Sequence, residues 1–179
     1  MKQAHPNDEV ETWCSDEARF GLQPIVRRVW APKGERPIAT VAPKYEWLWM
    51  YGAAHPASGK NFWLSLPRLE TQMVQLFVDE FAKEHAYEGK QIILCWDGAP
   101  AHRAKALRVP ERITIVQTLA YTPELNPAER LWPMVKEGVA NESFKDLDAL
   151  EKRVCKRVRK ISEEPELISS RLNYHWWPG

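Results

Sequence analysis

The sequence predicts an α/β fold, a mixed β-sheet covered by α-helices, and three features carry that expectation. Three strand-like segments with alternating apolar and polar residues lie between residues 10 and 66, separated by stretches rich in proline and glycine. A continuous apolar run at 91–96 (QIILCW) then follows a helix-like segment and has the look of a central strand buried on both faces. The last third of the chain carries its apolar residues at helical spacing.

With 179 residues, 44% apolar and 27% charged, the chain has room for one globular domain with its own core, read here as spanning 1–179. Its longest apolar stretch, Trp47 to Ala54, is far short of the roughly 20 residues that cross a membrane. The first ten residues hold no apolar signal core, so a reducing, cytoplasmic compartment is expected. Cys14, Cys95 and Cys155 lack C-x-x-C spacing, which predicts free thiols and disfavours a disulfide framework or a zinc knuckle. A net charge of +1 means that bulk electrostatics give no sign of a nucleic-acid partner; such a reading has to rest on local patches and motifs.

Taken in order, residues 10–20 (VETWCSDEARF) read as a first strand. Gly21, Pro24, Pro32, Gly34, Pro37 and Pro43 break the following loop or hairpin region. Strands at 45–53 and 60–66, joined by a HPASG turn, complete a three-strand meander. At 70–86 the period becomes helical, with Met73, Phe77 and Phe81 four apart and Val74 and Val78 beside them. After the 91–96 strand come a short helix at 101–108, a strand at 112–118, a helix from near Pro127 and another from near Phe144. Ser143 and Asp146 make a capping-box-like start for that final helix, whose apolar face is Leu147, Leu150, Val154, Val158 and Ile161.

Three acids stand out. Asp16 and Asp97 each follow a small apolar cysteine by two residues at the end of a strand, and ligands of open α/β sheets bind beyond the strand carboxyl ends. Two acids converging there suit a hard divalent cation, although Asp97-Gly98 also reads as a plain turn and Asp16 as a polar edge residue. Glu129 falls in YTPELNPAERLW (121–132), where Asn126 is a natural N-cap and Pro127 fits the first helical position. An N-x-x-E start is a capping arrangement, so Glu129 has a structural reading as well.

WCSDEARFG (13–21), ILCWDGAPAH (93–102) and YTPELNPAERLW (121–132) together resemble, in content and order, the catalytic blocks of the DDE transposases. More narrowly, they are similar to the bacterial insertion-sequence branch related to the Tc/mariner elements. The resemblance implies a ribonuclease-H-like fold and a metal-dependent activity that cuts DNA at transposon ends and joins the 3′-hydroxyl to target DNA. It implies Asp16, Asp97 and Glu129 as the catalytic, metal-binding acids, with Mg²⁺ or Mn²⁺, two ions, as cofactor. The partners it implies are transposon-end and target DNA and a second copy of the chain in a homodimer, at a bacterial, nucleoid-associated location. Clustered carboxylates repel by about 4 kcal/mol per pair at 4 Å and an effective dielectric near 20, which calls for a cation.

Some features depart from the family pattern. The second block reads D-G where relatives commonly have D-N, and 31 residues separate Asp97 from Glu129, somewhat fewer than in the best-known Tc-type relatives. About ten residues precede the first strand, so an N-terminal helix-turn-helix module for end recognition is expected to be missing from this chain. A catalytically silent DNA-binding or assembly module from a truncated element is therefore the alternative reading, and a nuclease that never performs strand transfer is a third.

His102 in the second block and Trp132 one turn past Glu129 are candidate auxiliary residues, His102 near the metals or the phosphate and Trp132 as a packing buttress. Two basic stretches are candidate DNA contacts: Arg27, Arg28, Lys33 and Arg36 between the first two strands, and Lys152, Arg153, Lys156 and Arg157 on the last helix. A solvated hairpin and a solvated helix face are the bland readings of the two, the second reinforced by Glu163, Glu164 and Glu166 just beyond. Trp176 and Trp177 are expected to cover an apolar surface or a partner.

Overall fold

The structure, a computed structural model, describes residues 7–35, 38, 44–102, 106–119 and 122–178. In chain order it forms β1 (Glu9–Gly21), β2 (Trp47–Ala54), β3 (Asn61–Leu66), α1 (Thr71–His85), β4 (Lys90–Trp96), β5 (Ile113–Gln117), two short 3₁₀ turns at 123–125 and 127–130, α2 (Leu131–Glu137), α3 (Leu147–Ser162) and α4 (Pro165–Leu172). The strands make one sheet ordered β3-β2-β1-β4-β5. β1, β2 and β3 pair antiparallel as the expected meander, whereas β4 runs parallel to both β1 and β5. Long β1 is therefore the hinge of the topology, with a meander on one side and a parallel pair on the other.

Alternation along β1 sorts its side chains between two cores. Trp13 packs with Tyr51, Phe77, Phe81, Ile92, Leu94 and Trp96 beneath α1. Cys14, Ala18 and Phe20 point the other way, into a core built by Leu131, Trp132, Leu150, Val154 and Ile168 from α2, α3 and α4. Full burial of a large apolar side chain stabilises the fold by about 1.5–3 kcal/mol, so the fully buried Trp13, Phe77, Phe81 and Leu131 hold the layers together.

Lys60 and Lys90 close the end of β1 remote from Asp16. Both donate to the Glu11 carboxylate, at 2.7 and 2.9 Å, and the Trp13 indole N–H donates to it at 2.9 Å. Burial alone would raise the Glu11 carboxyl, but these donors hold it down at about 2.

The structure corrects three local expectations. No helix forms among the described residues of 101–108; Ala101 and His102 lie in a turn, and 103–105 fall outside the described residues. That turn is organised by Asp97, whose Oδ1 accepts from the Ala99 N–H at 2.9 Å, a local bond that competes with helix formation. The cap of α3 is Asp146 rather than Ser143: its carboxylate accepts from the Ala149 N–H at 2.8 Å, one turn later than the capping-box start. The C-terminal helical region also breaks at Glu163–Glu164, and Pro165 opens the separate α4 at its first turn. Gly59, at φ +71, lets the β2–β3 turn touch α4, since a Cβ there would lie 1.8 Å from the Pro165 carbonyl oxygen. In the C-terminal tail Trp177 is buried, its indole N–H reaching the Thr12 carbonyl at 3.4 Å, while Trp176 is half-exposed.

Candidate active site

Parallel pairing of β1 and β4 sets Cys14 opposite Cys95, and Asp16 and Asp97 each lie two residues beyond that pair. The two acids are therefore on neighbouring segments at the level where β4 has run out, Asp97 just past the end of β4 and Asp16 within β1, which continues five residues further against β2. Cys14 and Cys95 are both buried, and burial pushes both thiols up, to about 11 for Cys95, so they serve as inert packing beneath the acids.

Asp16 is buried on the α2 side of the sheet, and its Oδ2 accepts a 2.5 Å hydrogen bond from the Trp132 indole N–H. Opposite Asp16 on β2 stands Gly52, where a Cβ would lie 2.9 Å from the Trp63 ring and 3.3 Å from the Trp132 ring. The absence of a side chain there leaves room for the edge-to-face pair of Trp63 and Trp132 at 5.9 Å. Burial, with the nearby Glu129 and Glu17 charges, raises the Asp16 carboxyl to about 7 despite the indole bond.

Glu129 comes in on the 3₁₀ turn at 127–130. Asn126 organises that turn, accepting from the Ala128 N–H at 3.1 Å while its own amide donates to the Ser15 carbonyl at 2.9 Å. The turn is thereby pinned directly to β1, one residue from Asp16. Glu129 is exposed and makes no side-chain hydrogen bond among the described residues, so the reciprocal capping bond of an N-x-x-E start is not formed. Partial burial and the Asp97 charge raise its carboxyl, against the pull of Lys136.

His102 is enclosed and stacks on Trp96 at 4.6 Å between ring centres. Its Nδ1 lies 2.8 Å from Asp97 Oδ1 and its Nε2 3.1 Å from Glu17 Oε1. Burial would lower the imidazole, but Glu17 and Asp97 together raise it to about 9, which makes it a cation with both nitrogens donating. Sequence reasoning left Glu17 without a role: it lies on the opposite face of β1 from Asp16, and no local spacing ties residue 17 to residue 102. Asp97, half-exposed, is thus fixed at one oxygen by His102 and the Ala99 N–H.

The expected acids share one end of the sheet without closing on one point; among the described residues no three His, Cys, Asp or Glu side chains converge as a ready-made metal cage. Their donor chemistry nonetheless fits a hard divalent cation: the acids are all-oxygen, and Asp16 is held up to about 7 by burial and uncompensated negative neighbours.

Of the expected DNA contacts, Arg27, Arg28 and Lys33 are exposed on the β1–β2 arm, and Arg36 lies outside the described residues. The arm is tethered to the α2–α3 loop by the Ile25–Ala140 bridge and by the Arg27 N–H donating to Asn141 Oδ1 at 2.8 Å. The basic row on α3 divides: Lys152 and Lys156 face solvent, Arg153 pairs with Glu142, and Arg157 donates to the Met134 carbonyl at 2.8 Å.

Residues 11–151 match the family model of the DDE superfamily endonucleases. Over 125 residues, 69% of this chain, the sequence is 31% identical to an uncharacterised protein, y4pE/y4sA, of Sinorhizobium fredii (strain NBRC 101917 / NGR234), and covers 92% of it. Among solved structures, the Mos1 mariner paired end complex with Mn matches with a TM-score of 0.61 at 16% identity, over 92% of this chain and 56% of that one. The Mos1 strand transfer complex matches at 0.59 with 14% identity, over 93% and 56%. A chain of the simian T-cell lymphotropic virus intasome matches at 0.52 with 13% identity, over 80% and 46%. This chain spans just over half the length of the Mos1 chains it matches, and at these identities the likeness is one of fold. The mixed sheet flanked by helices is accordingly ribonuclease-H-like, as expected. The family match takes in all three acids, from the strand that carries Asp16 to the helices beyond Glu129, and the chain belongs to the DDE superfamily of endonucleases.

Proposed function

We propose that this chain is the catalytic domain of a metal-dependent DNA transposase, cleaving phosphodiester bonds at transposon ends and joining the freed 3′-hydroxyl to target DNA. The observation that carries this reading is the placement of Asp16, within β1, and Asp97, just past the end of β4, each two residues beyond the Cys14–Cys95 pair of two parallel strands, with Glu129 close enough to act electrostatically on Asp16 and to feel Asp97. Mos1 mariner paired end complexes have been solved with Mn and with Mg, which supports the same metals here, two ions being the expected count. Asp16, Asp97 and Glu129 would hold them. Bound there, a divalent metal supplies charge neutralisation at the scissile phosphate and a lowered pKa for the attacking water or 3′-hydroxyl.

The chain's own residues set the geometry for this. Trp132 orients Asp16 by its indole N–H, and the Glu17–His102 pair holds one oxygen of Asp97. The buried Trp132 and Cys14, with half-buried Trp63 packed against them, keep water from the inner side of Asp16. Action on paired ends calls for two copies of the chain, so a homodimer on DNA belongs to the proposal.

Metal-dependent nicking of labelled transposon-end DNA, compared between the parent chain and Asp97→Asn, tests the reading; retained cleavage in Asp97→Asn overturns it. Supplying a free DNA 3′-hydroxyl and looking for joined product separates a transposase from a nuclease of the same fold. The silent-module reading expects DNA binding with no metal-dependent turnover.

A further inference from the structure

Three arginines distant in sequence converge on one groove beside the active-site turn. Arg130 from the start of α2, Arg157 from α3 and Arg171 from the last turn of α4 line a cavity of about 410 Å³, with Met134 and Leu167 among its apolar lining and Glu137 its one acid. Among the described residues no carboxylate lies within ion-pair distance of any of the three guanidinium groups, although ten ion pairs form elsewhere among those residues, Lys145–Asp146 and Arg112–Asp8 among them.

Two of the arginines are fixed in place. The Arg157 Nε donates to the Met134 carbonyl at 2.8 Å. An Arg130 Nη1 donates to the Arg171 carbonyl at 3.2 Å, and its guanidinium lies 4.2 Å from the centre of the Tyr174 ring. Tyr174 in turn stacks on Trp176 at 5.0 Å. A guanidinium has five N–H donors, so each keeps most of them for a ligand, and its ordering cost is already met by the fold. Three positive charges against one acid, Glu137, leave an excess that a polyanion relieves, and the apolar lining suits sugar rather than a second row of charge.

We propose that this groove binds the sugar–phosphate backbone of a DNA strand running from the active centre, with Arg130 and Arg171 contacting phosphates. Arg130 directly follows Glu129 on the same 3₁₀ turn, so the groove begins one residue from the third acid. The inference rests on the DNA-acting reading above and extends it to Arg130 and Arg171, which the basic stretches of the sequence did not mark.

The test is fluorescence anisotropy with a short labelled DNA duplex of random sequence, without metal, across a salt series. It compares the parent chain, Arg130→Gln, Arg171→Gln, their double variant, Arg171→Lys, and Lys83→Gln on α1 as a surface control. Each Gln variant should bind on the order of tenfold more weakly. Each lost phosphate contact should lower the slope of log affinity against log salt by about 1. Arg171→Lys should keep part of the affinity that Arg171→Gln loses, and Lys83→Gln should bind as the parent does, with thermal unfolding unchanged throughout. A parent chain that binds while the Gln variants match it in affinity and slope overturns the groove alone. A parent chain that binds no DNA overturns the DNA-acting reading and the groove with it. Displacement of the duplex by polyglutamate at equal charge concentration assigns the groove to an acidic protein and overturns it as a DNA site.

Discussion

Replacing Glu129 by Gln separates the two roles that its sequence position allows. Glu129 is exposed and without a side-chain partner among the described residues, so the change should alter stability by no more than about 0.5 kcal/mol, or roughly 1–2 °C in Tm for a domain of this size. A capping glutamate would instead cost about 1 kcal/mol. The effect on a metal is far larger in principle: a unit charge about 4 Å from a divalent ion contributes about 8 kcal/mol at an effective dielectric near 20. Exposure lets water recover most of that, which leaves a loss of about 1.4–3 kcal/mol, or 10- to 100-fold in affinity. Mn²⁺ titration by calorimetry, with thermal unfolding of both chains, reads the two quantities side by side. Unchanged Mn²⁺ affinity together with a lowered Tm would refute the reasoning and return Glu129 to the cap.

Trp132→Phe keeps most of the packing but removes the donor to Asp16, so Mn²⁺ affinity near neutral pH should fall several-fold, by calorimetry, with a smaller change in Tm. Glu17→Ala strips the buried His102 of one of its two acceptors and should cost about 1–3 kcal/mol, read as the urea midpoint, with Glu17→Gln milder. Gly52→Ala drives a methyl into the Trp63 and Trp132 rings and should lower Tm and change near-ultraviolet circular dichroism. Glu11 predicts an acid limb: its carboxyl is held at about 2 when folded and near 4.5 when unfolded, so its contribution is full above about pH 4.5 and drains away as pH falls toward about 2. That contribution is roughly 3 kcal/mol. Glu11→Gln should flatten this part of the stability–pH curve in denaturant titrations.

Local chemistry wrote the elements into the chain plainly. The period-two meander, the apolar run of β4 and the Phe77–Phe81 face of α1 are each stated within a dozen residues, and the structure follows them within one or two positions. Asn126 and Pro127 mark their turn in the same way. The three acids were singled out by the resemblance of their blocks, and the structure places those blocks in the middle of β1, just past the end of β4 and in a 3₁₀ turn whose form is set by neighbouring residues. Among the described residues of 101–108 no helix forms, and the bond from the Ala99 N–H to the Asp97 side chain, which periodicity does not register, shapes the turn at their start.

Tertiary structure alone decided which side chains meet. Asp16 and Trp132 are 116 residues apart, and only the docking of α2 on β1 puts an indole N–H on the carboxylate. Glu17 and His102, separated by 85 residues, join because strand alternation turns Glu17 to the α1 side while the turn after β4 folds His102 onto Trp96. Arg130, Arg157 and Arg171 form a groove because three helices pack on one face of the sheet. Periodicity and capping act over a few residues and can be read from the chain, whereas pairing across the sheet and between helices depends on register and packing, which are properties of the whole fold.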